Sequence, residues 1–163
     1  MDRNDTEFST LYRRHSADVL RFAFWLCGHR ADAEDIAAET FARAYAGADT
    51  LRAESAKAYL LTIARNLVLE RQRRHRPSDA LDDNTLDESA TPERHADAAQ
   101  SVRRTLTALA TLSEPDRAAL LLTSHDGLDY RAIALLLGLS LPAVKVRIHR
   151  ARLRLASALE TSS

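Results

Sequence analysis

The 163 residues leave room for one ordinary domain or two small ones, and 45% hydrophobic with 28% charged residues make the chain globular. Only four glycines and four prolines interrupt an Ala- and Leu-rich sequence, which favours helix. The formal net charge is zero, the single cysteine excludes an internal disulfide or a Cys-based zinc site, and no run reaches the ~18 apolar residues of a membrane span.

Taken in order, Phe8, Leu11, Tyr12, His15, Val19, Phe22, Ala23 and Leu26 recur at three- and four-residue spacings. That pattern predicts an amphipathic helix ending near Gly28. The start of the chain lacks the apolar core of a signal peptide, so a cytoplasmic protein is expected. Asp32, with Asp35 three residues on, sits where the N-cap of a second helix is expected. Ile36, Ala37, Thr40, Phe41, Ala44 and Tyr45 form its stripe, Glu34, Asp35, Glu39 and Arg43 lie off it, and Gly47 stops it.

A polar loop from Ala48 to Ala56 carries Asp49, Arg52, Glu54 and Ser55. A third helix is predicted from about Lys57 to Arg76, with Leu60, Ile63, Ala64 and Leu67 as its apolar face. Arg65, Leu69, Gln72, Arg73 and Arg76 fall opposite, and Asn66 lies at the margin. The helix is basic toward its end, with Glu70 its one acid. From Pro77 the composition inverts. Asp79, Asp82, Asp83, Asp87, Glu88 and Glu93 face only Arg94 before residue 96, which predicts a flexible acidic linker over 77–95.

The remainder, 96–163, reads as a second helical unit. Val102, Leu106, Leu109 and Leu112 mark one helix. Ser113 caps the next, with Pro115 in its first turn, Leu120, Leu121 and Leu122 as its apolar residues and Gly127 at its end. Tyr130, Ile133, Ala134 and Leu137 define another, Gly138 makes a turn, and Ser140 caps the last. No acid occurs from Leu141 to Leu159. In that last helix Leu141, Val144, Ile148, Ala151 and Leu155 cluster on one side, with Pro142, Val146, His149 and Arg150 on the other and Lys145 and Arg147 flanking. Two short helices joined by a glycine turn, the second basic, have the form of a helix-turn-helix whose second helix enters the major groove. The fold class expected is all-α: two small helical domains, 1–76 and 96–163, joined by the acidic linker.

No histidine pair has metal-ligand spacing, and no nucleophile sits at a strained turn, so neither a metal, a cofactor nor a catalytic site is expected.

At this point the sequence resembles the extracytoplasmic-function sigma factors of bacterial RNA polymerase. Phe8–His15 opens as those factors do, Asp32–Tyr45 resembles their region two helix, Tyr59–Arg74 their promoter-melting segment, and Leu112–Leu122 with Gly127–Arg152 their region four. The sequence departs from the family pattern at Tyr59, where tryptophan is common, at Ala132, where glutamate is common, and at Pro142, where glycine is common. The resemblance implies that Asp35 and Glu39 face the clamp helices of the polymerase β′ subunit. It implies that the 48–56 loop, with Arg52 and Ser55, holds a flipped base, and that Arg65, Asn66 and Arg73 meet the minus-10 element. Lys145, Val146, Arg147, His149 and Arg150 would meet the minus-35 element, with region four on the β flap. Core RNA polymerase, promoter DNA and an anti-sigma factor are the implied partners, with no membrane insertion. Two other readings of the residues stay open. One is a dimeric DNA-binding regulator, and the other is an interaction module that no longer binds DNA.

Overall fold

The computed structural model describes residues 3–47, 56–74, 92–125 and 127–162. Seven helices and no strand occur among them: α1 Arg3–Cys27, α2 Arg30–Ala46, α3 Ala56–Arg74, α4 Pro92–Ala110, α5 Glu114–Leu122, α6 Tyr130–Leu137 and α7 Leu141–Thr161.

The predicted stripes of α1 and α2 go into a core. Val19, Phe22, Ala23 and Leu26 of α1 meet Ile36, Phe41 and Ala44 of α2. At the outer end of this pair, Phe8, Tyr12, Phe41 and Tyr45 stack edge to face at centroid separations from 4.8 to 6.3 Å. Such pairs add ~0.5–1.5 kcal/mol each beyond the area they bury. Asp32 is not the cap of α2. His29 holds that position in extended backbone, with no side-chain bond, and Asp32 lies in the first turn. There its charge still suits the helix dipole, and Arg71 pairs with it at 3.2 Å.

Ser113 and Ser140 cap α5 and α7, accepting from the backbone N–H of Asp116 and Ala143. Asp129 does the same for α6, a cap the sequence reading did not single out. α5 stops at Leu122, five residues short of Gly127. Gly138 has φ of 67°, in the left-handed region that glycine enters without penalty. The turn it makes sets α7 at 97° to α6, within the ~90–120° of a helix-turn-helix. The α7 stripe is as expected: Val144, Ile148 and Ala151 are buried, and Leu155 is partly so. α4 begins at Pro92, inside the span expected to be linker; residues 75–91 lie outside the described residues.

The two helical halves pack against each other in this structure. One core runs from Phe22, Leu26, Leu60 and Leu61 through Leu122, Ile133, Val144 and Ile148. α5 packs on α1, and α6 packs on α3. A smaller cluster, Leu109, Leu112 and Ala151, receives Trp25 from α1. The Arg117 guanidinium joins three elements, donating to the carbonyls of Leu26, Leu109 and Leu112 at 2.9, 3.0 and 3.0 Å. Those carbonyls lie at or just beyond the ends of α1 and α4, and that of Leu109 also accepts from the Leu112 N–H at 3.0 Å.

Candidate nucleic-acid interface

α7 presents the basic surface. Lys145, Val146 and His149 are exposed, with Val146 60% accessible, and they lie away from the buried stripe. A cation, a small apolar group and a ring with donor and acceptor nitrogens suit phosphate, thymine methyl and a base edge respectively. Ser140 fixes the start of the helix, so these residues come within its first three turns, the part that a recognition helix inserts.

Arg147 and Arg150 behave differently. Both reach back to Asp116 of α5, which is 1% exposed. Arg147 Nη1 donates to Oδ1 at 2.9 Å, while Arg150 Nε and Nη2 donate to Oδ2 and Oδ1 at 3.0 and 3.1 Å. Burial pushes the Asp116 pKa up, but the two guanidiniums outweigh it and hold the carboxyl below its ordinary 3.8. The helical wheel set Arg150 on the outer face; its length lets it turn across the helix edge and lock α7 onto α5. It retains Nη1 for a second acceptor.

In the first half, α3 carries Arg65 and Asn66 on one turn and Arg73 two turns further on. Asn66 and Arg73 are exposed. Arg65 is not: its Nε and Nη2 each donate at 2.8 Å to the two oxygens of Glu114, with side chains 14% and 15% exposed. The structure therefore places Asn66, at mid-helix, and Arg73, in the basic last turn, on one exposed face of α3, and turns Arg65 toward the second half. Arg52 and Ser55, with the 48–55 segment, lie outside the described residues.

The acids of α2 form another surface. Asp35 and Glu39 are exposed, paired loosely with Arg71 at 3.7 Å and Arg43 at 3.2 Å. Exposed pairs of this kind are worth ~0–1 kcal/mol, so a partner's cations can replace them. On the other side of α2, Tyr12, Leu20, Ala37 and Phe41 line an apolar groove between α1 and α2, with Glu34 as its acid. An apolar groove edged by Glu34 fits a helix that carries both cations and apolar side chains.

Sequence reasoning missed Glu114, Asp116 and Arg117, which organise the junction. Their only signal was two acids and an arginine around Pro115, directly after a cap. Cys27 donates to the His29 carbonyl at 3.4 Å, and burial raises its pKa to about 11, which disfavours the thiolate. No group of three or more His, Cys, Asp or Glu side chains that could hold a metal occurs among the described residues. No single described helix is long and apolar enough to cross a membrane.

Fold and site together define a two-part, all-helical DNA-binding protein with a C-terminal helix-turn-helix and a separate basic helix. Comparison with known proteins agrees. Residues 11–77 match the family model of sigma-70 region 2, and residues 103–155 match that of sigma-70, region 4. The ECF RNA polymerase sigma factor SigL of Mycobacterium tuberculosis is 34% identical over 147 residues, 86% of this chain and 82% of that protein. SigE of Mycolicibacterium smegmatis is 32% identical over 94% of this chain and 62% of its own length. Among solved structures, CnrH in complex with the cytosolic domain of CnrY has a TM-score of 0.75 at 25% identity, covering 99% of this chain and 92% of that one. The sigma factor RpoE of Bartonella quintana, in complex with the anti-sigma factor NepR, also has a TM-score of 0.75, at 24% identity over 96% and 99% of the two chains. The chain belongs to the extracytoplasmic-function sigma factors of RNA polymerase. It is thus a transcription initiation factor, with core polymerase and promoter DNA as its partners.

Proposed function

We propose that this sigma factor divides promoter reading between two helices and docks on polymerase through a third. Lys145, Val146 and His149 of α7 read the minus-35 element. Arg147 and Arg150, steadied by Asp116, offer their remaining N–H groups to phosphates or to a base edge. Asn66 and Arg73, together with Arg65 once released, meet the minus-10 element, and the 48–55 segment with Arg52 and Ser55 holds a flipped base. Asp35 and Glu39 meet the β′ clamp helices, and the second half meets the β flap.

The observation that supports this division most is the exposed Lys145–Val146–His149 row on a helix whose opposite side is anchored in the core. Melting a duplex requires unstacking, at a few kcal/mol for a flipped base, offset by cations on the backbone. That work needs no nucleophile or metal from this chain, since polymerase supplies the chemistry, in the cytoplasm. The chain is regulated by an anti-sigma factor, a reading supported by the similarity to RpoE, which was solved with NepR.

The test is core binding and run-off transcription by the Asp35→Ala/Glu39→Ala double variant. Loss of core affinity with an unchanged thermal melt supports the assignment. Wild-type core affinity removes α2 from the interface. Capture of a specific inhibitor with the factor from uninduced cells of its source supports the regulatory part, and recovery of polymerase alone counts against it.

A further inference from the structure

Asp116 is the one buried carboxylate among the described residues, at 1% exposure. Ser113 caps α5 and accepts from the Asp116 N–H, which fixes the residue in the first turn, where the helix dipole favours an anion. At that depth the carboxylate cannot touch DNA itself. Both of its ion-pair partners come from the DNA-facing helix: Arg147 and Arg150 of α7, whose side chains stay 29% and 46% exposed.

The two arginines are held differently. Arg147 gives Asp116 one bond, from Nη1 to Oδ1 at 2.9 Å. Arg150 gives it a whole edge, Nε to Oδ2 at 3.0 Å and Nη2 to Oδ1 at 3.1 Å. A guanidinium is planar and carries five N–H donors. With the Nε and Nη2 edge on a carboxylate its plane is set, and three N–H groups remain, two on Nη1 and one on Nη2. They include the parallel pair at the tip. Such a pair matches O6 and N7, the two acceptors that guanine shows in the major groove. Arg150 leaves α7 on the side of Val146, one turn earlier and exposed, and next to the exposed His149.

We infer that Asp116 is a positioning residue for promoter reading: it presets the plane of Arg150 so that the free tip reads one guanine of the minus-35 element, while Arg147, tied by a single bond, serves a phosphate. This rests on the reading of α7 as the minus-35 helix. A preset fork loses less freedom on binding than a mobile one, and it meets one base rather than several acceptors. Without the carboxylate the guanidinium can turn to any nearby acceptor, phosphates included, so discrimination is lost before affinity.

The test uses the holoenzyme on duplex promoters mapped by run-off transcription, with each minus-35 position substituted in turn and binding measured by competition. Wild type is expected to show one guanine whose replacement costs roughly tenfold. 7-Deazaguanine at that position, which lacks the N7 acceptor, costs roughly fivefold, and inosine, which keeps O6 and N7, costs little. Asp116→Asn and Asp116→Ala are expected to erase most of that discrimination while binding the preferred promoter within about threefold of wild type. Asp116→Glu keeps the anion and is expected to recover part of the preference. Arg147→Gln weakens every duplex alike and leaves the guanine preference in place. Circular dichroism at the assay temperature checks that each variant is folded.

A wild-type holoenzyme indifferent to 7-deazaguanine at every guanine of the minus-35 element overturns the inference without recourse to any variant. So does a folded Asp116→Asn or Asp116→Ala protein that keeps the full preference, or one that weakens all sequences equally, which marks a structural role alone. Arg150→Ala then identifies which part failed. A changed preference at one position keeps α7 as the reader and rejects only the role of Asp116, whereas no change at any position with Lys145, His149 or Arg150 replaced by alanine rejects the minus-35 reading of α7 itself.

Discussion

Replacing Asp116 with asparagine should loosen the helix-turn-helix from within. The carboxylate is 1% exposed and accepts three charge-assisted bonds, at 2.9, 3.0 and 3.1 Å, from Arg147 and Arg150. Removing one member of a fully buried pair costs ~3–5 kcal/mol. Here both arginines retain access to solvent and can turn outward, so the cost of the Asp116 change falls to about 1–3 kcal/mol. For a chain of this size that is a drop in Tm of roughly 2–4 °C per kcal/mol. The pH dependence gives the cause. The folded carboxyl titrates below its ordinary 3.8, so its stabilisation is complete above that value and is lost as pH falls through the lower folded value. Thermal or urea melts of both proteins from pH 7 to 2.5 should show the gap between them closing below pH 3.8. A gap that persists unchanged at the acid end refutes an electrostatic origin and leaves only shape. Because the variant frees Arg147 and Arg150 while leaving Lys145 and His149 in place, its minus-35 affinity should fall less than its stability does.

Lys145→Ala should weaken binding of the holoenzyme to all promoter sequences alike and flatten the salt dependence by ~0.9 in log–log slope, the value for one lost phosphate contact; a sequence-selective loss would make it a base reader. Gly138→Ala should cost about 1–2 kcal/mol in an equilibrium melt, because φ is 67° and an added Cβ meets nothing within 4 Å, so the penalty is conformational alone. A neutral result would mean the turn relaxes. Burial, then the nearby Arg14 and Lys57, lower the His15 pKa from 6.5, against the opposing pull of Asp18. The folded state therefore resists its protonation, and stability falls as pH drops below 6.5. His15→Gln should remove that slope in melts from pH 7.5 to 5, and an unchanged slope would place it on another group.

What was legible in the sequence was local. The α7 stripe from Leu141 to Leu155 and the caps Ser113 and Ser140 depend on neighbours within one or two turns, and the structure reproduces them. Asp32 misled because a cap is chosen by where the chain enters the helix, and the turn at Gly28 brings His29 there instead. The wheel assigned Arg65 and Arg150 by direction from the axis. A wheel carries no information on reach, and both guanidiniums end on acids 49 and 34 residues away. Leu61 and Val68 were missed for the same reason: one stripe accounts for packing within the first half, while their side of α3 is covered only when long-range packing is complete. The candidate site was therefore readable as a set of residues, and its closure between the halves was not.

The most direct test of the central assignment is run-off transcription with core RNA polymerase on a genomic library, paired with footprinting of the protein alone. A sigma factor of this form should add discrete start sites that share upstream elements, and should protect those promoters only when core is present. The account is contradicted if core plus this protein starts nowhere that core alone does not. Tight, specific protection by the free protein contradicts it as well.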